Sequence, residues 1–356
     1  MAYGRQYAAM KEFQVKISTS GATFTVKEGE SVLNAALRQG VMLPYSCKNG
    51  TCGSCKGLIE SGDVHYPFHQ PLALKRTEIA DGYALLCQAE PTEDLLVKIR
   101  EIEAVRDIPV RLLPARVTDK KLLARNVIRL RLRLPKAQRL QFLAGQYVDI
   151  LLPGGKRRAF SIASPPHNED ELELHIRHVT GGDFTGWVFD ELKVKDILRI
   201  EGPLGTFFVR HDQPSRPIIM MGGGTGFAPL KSMIEDLLSL KDQRSIHLFW
   251  GARNQDELYQ ESLPENWASQ HSHIQYSRAL SDSDPAASAF SGFVHEAVVD
   301  AYPDLSSYDV YMSGPPAMID AAKPAFFGNG LPERRMFYDS FEFGSDVPVR
   351  ILARPH

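Results

Sequence analysis

The sequence lacks an excess of charge of either sign. Its 356 residues carry 41 Lys and Arg against 43 Asp and Glu, which gives a formal net charge of −2. A chain without a basic excess has no general attraction to nucleic acid or to an anionic membrane surface. We therefore expect no nucleic-acid partner and look for binding at local sites.

Long hydrophobic runs are also missing. No apolar stretch approaches the length of a spanning helix, and the first residues, MAYGRQYAAMKE, lack the apolar core of a secretory signal. These absences predict a cytoplasmic chain without a membrane span.

Cysteine is scarce as well. In a reducing cytosol, the four cysteines are typical of metal ligands or catalytic thiols rather than of disulfides.

The chain does have enough apolar residues for large cores, since 43% of it is hydrophobic. At roughly 100 to 200 residues per domain, it should hold two or three domains. The segments EFQVKI and ATFTVK alternate apolar and polar residues around a turn, which predicts a β-hairpin. SVLNAALRQG follows as a helix, with Ser31 as N-cap and Gly40 at its end. We expect a β-grasp domain over residues 11–100 and a linker over 101–109.

The rest of the chain changes character twice. Residues 110–212 contain β-rich segments separated by Pro and Gly, such as VIRLRLRL and ELELHIRHV, which predict an antiparallel barrel. Residues 213–342 alternate apolar strands, such as PIIMMG and SIHLFWG, with helical stretches, which predicts a parallel sheet with crossover helices. A tail, 343–356, follows. The predicted fold class is multi-domain, α+β and α/β.

The cysteines carry the most specific motif in the chain. Three lie in PYSCKNGTCGSC with the spacing Cys47-x4-Cys52-x2-Cys55, and Cys87 follows after 31 intervening residues in LLCQA. This order is the plant-type [2Fe-2S] pattern, in which four thiolates hold two irons. We expect all four cysteines to be ligands of such a cluster.

Two other uses of these cysteines are possible. A structural zinc site usually pairs two short C-x2-4-C knuckles, whereas here three ligands come together and one comes late. A redox-active pair of Cys52 and Cys55 would leave the other two without a role. The glycines favour the cluster, because Gly50 and Gly53 are expected to let the backbone fold over it and point N–H groups at its sulfurs.

Two segments of the barrel region suggest a flavin diphosphate site. RRAFSIASPP, taken alone, fits an ordinary basic edge strand. Further along, GGDFTGWVFDEL places Gly181 and Gly182 before Thr185, the predicted N-cap of a short helix whose N–H groups can hold a pyrophosphate. Arg158 can supply a cationic fork to the same anion.

A third site is predicted in IIMMGGGTGFAPLKSM, where a strand runs through a glycine-rich turn into a helix. Backbone N–H groups and the helix N-terminus make such a turn a phosphate cradle. The segment is not the G-x-G-x-x-G fingerprint, because Phe227 stands where the third glycine would be. SGPPAMI adds a second loop after a later strand, at the carboxyl edge of the sheet where ligands bind in such folds.

Together these motifs resemble the ferredoxin–NAD(P)H reductase superfamily, in its form with a plant-type ferredoxin domain at the N-terminus. The resemblance covers about residues 11 to 342 and includes RAFSIAS, LELHIRHV, GPLGTFF, GGGTGFAP and SGPP. This form of the family serves oxygenases and deoxysugar biosynthesis as an electron-transfer reductase. The resemblance implies three ligands: a [2Fe-2S] cluster, FAD and NADH or NADPH.

The resemblance also implies residue roles. It places Arg158 at the flavin diphosphate, Phe160 against the isoalloxazine and Ser161 near its reactive N5. His175 and His178, on either side of Ile176, are expected to share a strand face. Contact with FAD and an ordinary half-exposed strand face account equally well for histidines at these positions. The predicted cofactor-binding set is Arg158, Ala159, Phe160, Ser161, His175, Ile176, His178, Gly182, Phe184 and Thr185 for FAD, and Gly223, Gly224, Thr225, Gly226, Arg253, Gly314 and Pro315 for the nicotinamide nucleotide.

The chain departs from the family pattern at two places. Ser313 stands where the family usually has a cysteine near the hydride path, so hydride transfer is expected to be slower. The chain also continues past FYDSFEF, the aromatic region where chains of this family usually end. Phe341 belongs to this region, and the resemblance places it over the flavin ring. The predicted catalytic residues are Ser161, Ser313 and Phe341.

The nucleotide preference is expected to be weak. The strand that ends at Gly251 offers no acid for a ribose diol, and Arg253 can accept a 2′-phosphate. The resemblance favours NADH, with NADPH also accepted.

Electron counting joins the three sites. NAD(P)H gives two electrons at once and a [2Fe-2S] cluster takes one, so a flavin must convert between them. The predicted function is an NAD(P)H-dependent reductase that passes electrons from FAD through the cluster to a protein acceptor, such as an oxygenase component or a deoxysugar dehydrase, and works as a monomer. A general flavin or ferric reductase and a redox-sensing iron–sulfur module remain as alternatives.

Overall fold

A computed structural model gives the structure of this chain and describes residues 11–168, 171–282 and 289–341. The chain divides into two compact units between Asp107 and Ile108. Each hydrophobic cluster of the described residues lies on one side of this division: one is built from residues up to Ile99, and three from Leu113 onward. The predicted tail, 343–356, falls outside the described residues.

The first unit begins with the predicted hairpin, which is confirmed. Alternate side chains of the first strand are buried, as the alternating sequence requires. The predicted helix is confirmed as well: the Ser31 side chain accepts the Asn34 N–H, and Gly40 follows the helix with a φ of +77°. The elements of this unit are β1 (Glu12–Ile17), β2 (Thr23–Lys27), α1 (Val32–Arg38), β3 (Lys56–Ser61), β4 (Val64–His65), α2 (Arg76–Ala80), β5 (Tyr83–Leu85), β6 (Glu90–Pro91) and β7 (Leu95–Lys98).

The main sheet of this unit has the order β2-β1-β7-β3-β5, with β1 and β7 parallel and the other pairs antiparallel. Helix α1 packs on this sheet through Val32, Leu33 and Ala36, which are fully buried. This arrangement is the predicted β-grasp. The segment after β7 still contacts the first unit: Ile102 donates its N–H to the Met42 carbonyl at 2.7 Å, and Val105 is buried.

The second unit opens with an antiparallel sheet of order β11-β10-β13-β8-β9-β12. A bridge between Ile162 and Leu174 joins the two end strands, which closes the sheet as the predicted barrel requires. Its longest strand, β8, was missed by the sequence reasoning because TDKKLLA reads as polar. The elements are β8 (Arg111–Ala124), β9 (Val127–Arg133), β10 (Tyr147–Leu151), β11 (Arg157–Ser161), β12 (Glu171–Arg177), α3 (Asp183–Asp190) and β13 (Ile197–Leu204).

The rest of the second unit is a parallel sheet of order β17-β16-β15-β14-β18-β19, as predicted. Every residue of β14 and β18 is buried, which fits strands covered on both faces by helices. The elements are β14 (Ile218–Gly223), α4 (Phe227–Ser239), β15 (Ile246–Ala252), α5 (Ser262–Gln270), β16 (Ile274–Leu280), β17 (Phe290–Ser291), α6 (Val294–Ala301), β18 (Asp309–Gly314), α7 (Pro316–Gly328) and β19 (Met336–Ser340).

The barrel and the parallel sheet are joined by buried hydrogen bonds from α4. Lys231 donates its Nζ to the Ala163 carbonyl at 3.1 Å, and Ser232 donates its Oγ to the Ser164 carbonyl at 2.8 Å. Both acceptors belong to the segment that leaves β11, so the helix after the glycine-rich turn is fixed to the flavin motif. Among the described residues, no helix is both long and apolar enough to cross a bilayer.

The division at Asp107 and Ile108 predicts that the second unit folds alone. A fragment of residues 108–356 should unfold in one cooperative thermal transition and retain FAD, because its hydrophobic clusters are its own. Circular dichroism and flavin absorbance measure both properties. A fragment that aggregates without a cooperative transition would show that the first unit is needed for folding.

Candidate functional site

The four cysteines lie together in the first unit, and all are buried and free of disulfides. Backbone N–H groups point at their sulfurs: Cys47 donates its N–H to Cys52 Sγ at 3.4 Å, and Cys52 donates its N–H to Cys47 Sγ at 3.3 Å. The Ser54 N–H also reaches Cys52 Sγ, at 3.5 Å. Such donors stabilise negative charge on the sulfurs, which suits thiolate ligands.

The sulfurs also share protons. Hydrogen bonds from the Cys52 and Cys87 thiols lower the pKa of Cys47. The hydrogen bond to Cys47, together with burial, raises the pKa of Cys52, and hydrogen bonds to Cys47 and Cys55 raise that of Cys87. Buried sulfurs grouped in this way are a donor set whose protons bound iron can replace.

No three His, Cys, Asp or Glu side chains within 11–168, 171–282 and 289–341 are arranged to hold a single metal ion. A [2Fe-2S] cluster divides its four thiolates between two irons, so its ligands need not converge in that way. The grouped thiols fit the cluster.

The two glycines of the cysteine loop have positive φ angles, +81° at Gly50 and +82° at Gly53. Two of the N–H groups that reach sulfur, those of Cys52 and Ser54, flank Gly53, so this glycine shapes the stretch of the loop that carries them. Gly50 also meets a close neighbour, since an added Cβ would lie 2.9 Å from Pro71 Cβ. Gln88 donates its Nε2 to the Lys48 carbonyl at 2.6 Å and ties the loop to the segment that carries Cys87.

The two predicted flavin segments meet in the barrel. The Phe160 ring of β11 lies against the Phe184 ring of α3, with centroids 5.6 Å apart. Every side chain of β11 is exposed or half-buried, which leaves this strand accessible to a cofactor. The prediction that Thr185 is the N-cap of α3 is wrong: Gly182 is the N-cap, and the Thr185 hydroxyl accepts the Val179 N–H at 3.1 Å.

The prediction that His175 and His178 share a half-exposed face is also wrong. Their separation of three residues does not match the period of two in a strand, and β12 ends at Arg177 before His178 is reached. His175 is buried between the barrel and the parallel sheet, whereas His178 is exposed. The Ile176 side chain lies in the barrel core. His175 and Ile176 therefore have only their main chain available for a cofactor.

The two predicted nucleotide loops are in direct contact. A Cβ on Gly226 would lie 1.9 Å from the Ser313 carbonyl oxygen, and one on Gly314 would lie 3.1 Å from the Gly223 nitrogen. Only glycines allow this approach. The Ser313 Oγ is buried and makes no hydrogen bond to the described residues. Backbone-lined loops with one unsatisfied polar atom fit a bound nucleotide.

The three predicted catalytic residues are brought together at one edge of the parallel sheet. Ser161 donates its Oγ to Asp339 Oδ2 at 3.2 Å. Asp339 is paired across the sheet with Ser313, and Phe341 donates its N–H to the Gly314 carbonyl at 3.0 Å. The sequence reasoning missed Asp339, for which the only signal was an acid at the end of a short strand before Phe341.

Arg253 lies just beyond β15 and forms an ion pair. Its Nε donates to Glu257 Oε1 at 2.9 Å, and Arg177 donates its Nη2 to Glu257 Oε2 at 2.6 Å. Burial opposes ionisation of Glu257, but these two guanidinium groups hold its pKa below the usual range. A cofactor 2′-phosphate would have to compete with Glu257 for Arg253.

Three family models match consecutive parts of the chain. They are described as "2Fe-2S iron-sulfur cluster binding domain" over residues 15–92, "Oxidoreductase FAD-binding domain" over 114–209 and "Oxidoreductase NAD-binding domain" over 220–324. Their order agrees with the order of the cysteine, flavin and nucleotide motifs along the chain.

Characterised relatives match nearly the whole chain. The CDP-6-deoxy-L-threo-D-glycero-4-hexulose-3-dehydrase reductase of Yersinia pestis is 39% identical over 92% of this chain and 98% of its own. The reductase component of phenol 2-monooxygenase from Pseudomonas sp. is 39% identical over 94% and 96%. Among solved structures, a cytochrome P450 reductase of Amycolatopsis is similar with a TM-score of 0.75 and 35% identity, covering 92% of this chain and 98% of that one.

The contact between the two loops predicts the effect of one added methyl group. Gly226→Ala should destabilise the second unit by about 1–3 kcal/mol, because the methyl meets the Ser313 backbone and the loops must separate. Affinity for NAD⁺ should fall with it. Gly328→Ala is the matched control, since nothing lies within 4 Å of its added Cβ. Thermal unfolding and NAD⁺ titration measure both effects. Equal behaviour of the two variants would contradict the observed packing.

Proposed function

We infer the function of this chain from its family: it belongs to the ferredoxin–NAD(P)H reductase superfamily, in the form with an N-terminal plant-type [2Fe-2S] domain. The chain is an NAD(P)H-dependent oxidoreductase. It is a reductase component that transfers electrons through FAD and a [2Fe-2S] cluster to a protein acceptor. Bound FAD would supply the conversion between the two-electron donor and the one-electron cluster.

We propose that the edge formed by Ser161, Ser313 and Phe341 is where the nicotinamide meets the flavin. The observation that carries this proposal is the hydrogen bond of 3.2 Å between Ser161 and Asp339, which joins the flavin motif to the sheet edge beside the nucleotide loops. Ser161 and Phe341 orient the two rings, and Asp339 is an acceptor that holds the Ser161 hydroxyl in place. The buried Ser313 Oγ is left for the bound nucleotide.

The remaining site residues are proposed by motif. Cys47, Cys52, Cys55 and Cys87 would hold the cluster. For FAD we retain Arg158, Ala159, Phe160 and Ser161 of β11, the main chain of His175 and Ile176, His178, and the helix start at Gly182, Phe184 and Thr185. For the nucleotide we retain Gly223, Gly224, Thr225, Gly226, Arg253, Gly314 and Pro315.

The acceptor is proposed to be an oxygenase component or a deoxysugar dehydrase, because relatives that match nearly the full chain are named as reductases of both kinds. A general flavin or ferric reductase would not need the cysteine domain, since a small acceptor can take electrons at the flavin. We propose that the chain acts as a monomer in the cytoplasm, where NADH and reduced thiols are available.

The cluster is proposed as the exit for electrons, and Cys52→Ser tests this role. The variant should lose its two irons and two acid-labile sulfides per chain and reduce cytochrome c at least about tenfold more slowly, while ferricyanide reduction by NADH persists at the flavin. Thr51→Ser is the control, because a serine keeps the hydroxyl that bonds Asn49 Oδ1 at 2.7 Å. Full cytochrome c reduction by an iron-free variant would place the exit at the flavin.

NADH is proposed as the preferred donor because Glu257 already pairs with Arg253. Glu257→Gln should free the guanidinium for a 2′-phosphate and raise the NADPH to NADH ratio of kcat/KM by about tenfold, since an unpaired Arg binds phosphate well. Glu261→Gln is the control: it removes a similar ion pair, to Arg278 at 2.9 Å, on the neighbouring element. An unchanged ratio in Glu257→Gln would mean that Arg253 does not face the 2′ position.

A further inference from the structure

A buried polar chain crosses from the flavin barrel to the parallel sheet within the second unit. His175 lies between two partners: its Nε2 is 3.1 Å from Glu173 Oε1, and its Nδ1 is 2.9 Å from the Tyr259 hydroxyl. Glu173 and His175 belong to β12 of the barrel, whereas Tyr259 follows β15 of the parallel sheet. All three residues are buried.

The direction of each hydrogen bond follows from the charges. Burial opposes ionisation of Glu173, but the hydrogen bond from His175 and the charge of Lys231 hold its pKa well below the usual range, so its carboxylate accepts. Burial lowers the pKa of His175, which is therefore neutral and donates its only N–H, at Nε2, to Glu173. The bare Nδ1 must accept, and the donor is the Tyr259 hydroxyl.

On the other side, Tyr259 supports the glycine-rich turn through two aromatic rings. Its ring meets Trp250 edge-on, with centroids 5.2 Å apart, and Trp250 stacks on Phe227 at 4.0 Å. Trp250 donates its Nε1 to the Gly224 carbonyl at 2.9 Å. The orientation of the Gly224 peptide is therefore fixed by a ring that Tyr259 holds in place.

We propose that Tyr259 is a positioning residue: its hydroxyl, anchored on His175 of the barrel, sets the Trp250 ring and with it the Gly224 peptide, so that the nicotinamide is held in register with the flavin. This inference rests on the proposed role of Gly223–Gly226 as a nucleotide loop. Neither Tyr259 nor Trp250 needs to touch a cofactor for this role.

The size of the effect follows from the geometry that hydride transfer requires. A displacement of about 1 Å between reacting groups can cost about a hundredfold in rate. Loss of the Tyr259 hydroxyl leaves the His175 Nδ1 buried without a hydrogen-bond donor. This favours a shift of the residue 259 ring away from His175. The displaced group would be the Gly224 peptide, whose shift would move the diphosphate and the nicotinamide beyond it, while the adenosine half of the nucleotide would bind as before.

The test compares Tyr259→Phe with Tyr302→Phe in the full-length, FAD-loaded protein. Tyr302 is a matched control, because its hydroxyl lies 2.8 Å from Nδ1 of another buried histidine, His247 of β15, in a pair that packs on Phe249 and not on the glycine-rich turn. Both variants lose the same hydroxyl and the same kind of hydrogen bond.

Three measurements separate positioning from general destabilisation. The affinity for 5′-AMP reports the adenosine half, the flavin difference spectrum with the unreactive analogue tetrahydro-NAD reports how the nicotinamide ring meets the flavin, and kcat for ferricyanide reduction reports hydride transfer. In Tyr259→Phe we expect unchanged 5′-AMP affinity, a diminished difference spectrum and kcat lower by about ten- to a hundredfold. Tyr302→Phe should match the wild type in all three.

A second variant protects the test against a folding defect. Trp250→Phe keeps a stacked ring but removes the Nε1 donor to Gly224, and it should reproduce the spectral and kinetic losses of Tyr259→Phe. Wild-type spectra and rates in both variants would overturn the proposal. If Gly226→Ala also left NAD⁺ binding unchanged, the nucleotide loop itself would be misassigned; if Gly226→Ala abolished binding, only the positioning role would fall.

Discussion

The arrangement of the second unit depends on the contacts that the buried ammonium of Lys231 makes between α4 and the barrel. Its Nζ lies 3.1 Å from the Ala163 carbonyl, 2.9 Å from Glu235 and 3.4 Å from Glu173, so one charge from α4 is satisfied largely by the barrel. Removal of one partner from a buried ion pair typically costs about 3–5 kcal/mol. Because α4 begins at the glycine-rich turn and Ala163 follows the flavin motif, this joint sets the distance between the two cofactor-binding segments.

Close backbone contact between the loops after β14 and β18 also shapes the site. Residues of β14 and β18 end at one edge of the sheet, and Gly226 meets the Ser313 carbonyl there at a distance that no side chain allows. The same edge receives Ser161 of the barrel through Asp339. A site of this kind is built mainly from main-chain groups, whose positions depend on the packing of whole elements rather than on flexible side chains.

The cysteine loop is organised differently, because its hydrogen bonds among the described residues lie within the first unit. Its sulfurs share protons with one another and receive N–H groups from their own loop, so the donor set is complete within the β-grasp. A one-electron centre on a separately folded unit is suited to exchange electrons with another protein. Two-electron chemistry, by contrast, requires two reacting groups held in fixed contact, and the hydrogen bond of Lys231 fixes the segment after the flavin motif to the helix after the glycine-rich turn.

The sequence by itself determined the features that depend on neighbours along the chain. The cysteine spacing, the capped helix at Ser31, the alternating hairpin and the strand–glycine–helix turn are all local, because each follows from the conformations that a few consecutive residues allow. The tertiary structure alone decided which polar groups meet across elements. The burial of His175 against Tyr259, the pairing of Asp339 with Ser161 and that of Glu257 with Arg253 join residues 84, 178 and four positions apart. The sequence does not predict even the last of these pairs, because Glu257 also binds Arg177, which belongs to the barrel. Whether a side chain faces solvent or a second element depends on packing, and no local sequence pattern determines it.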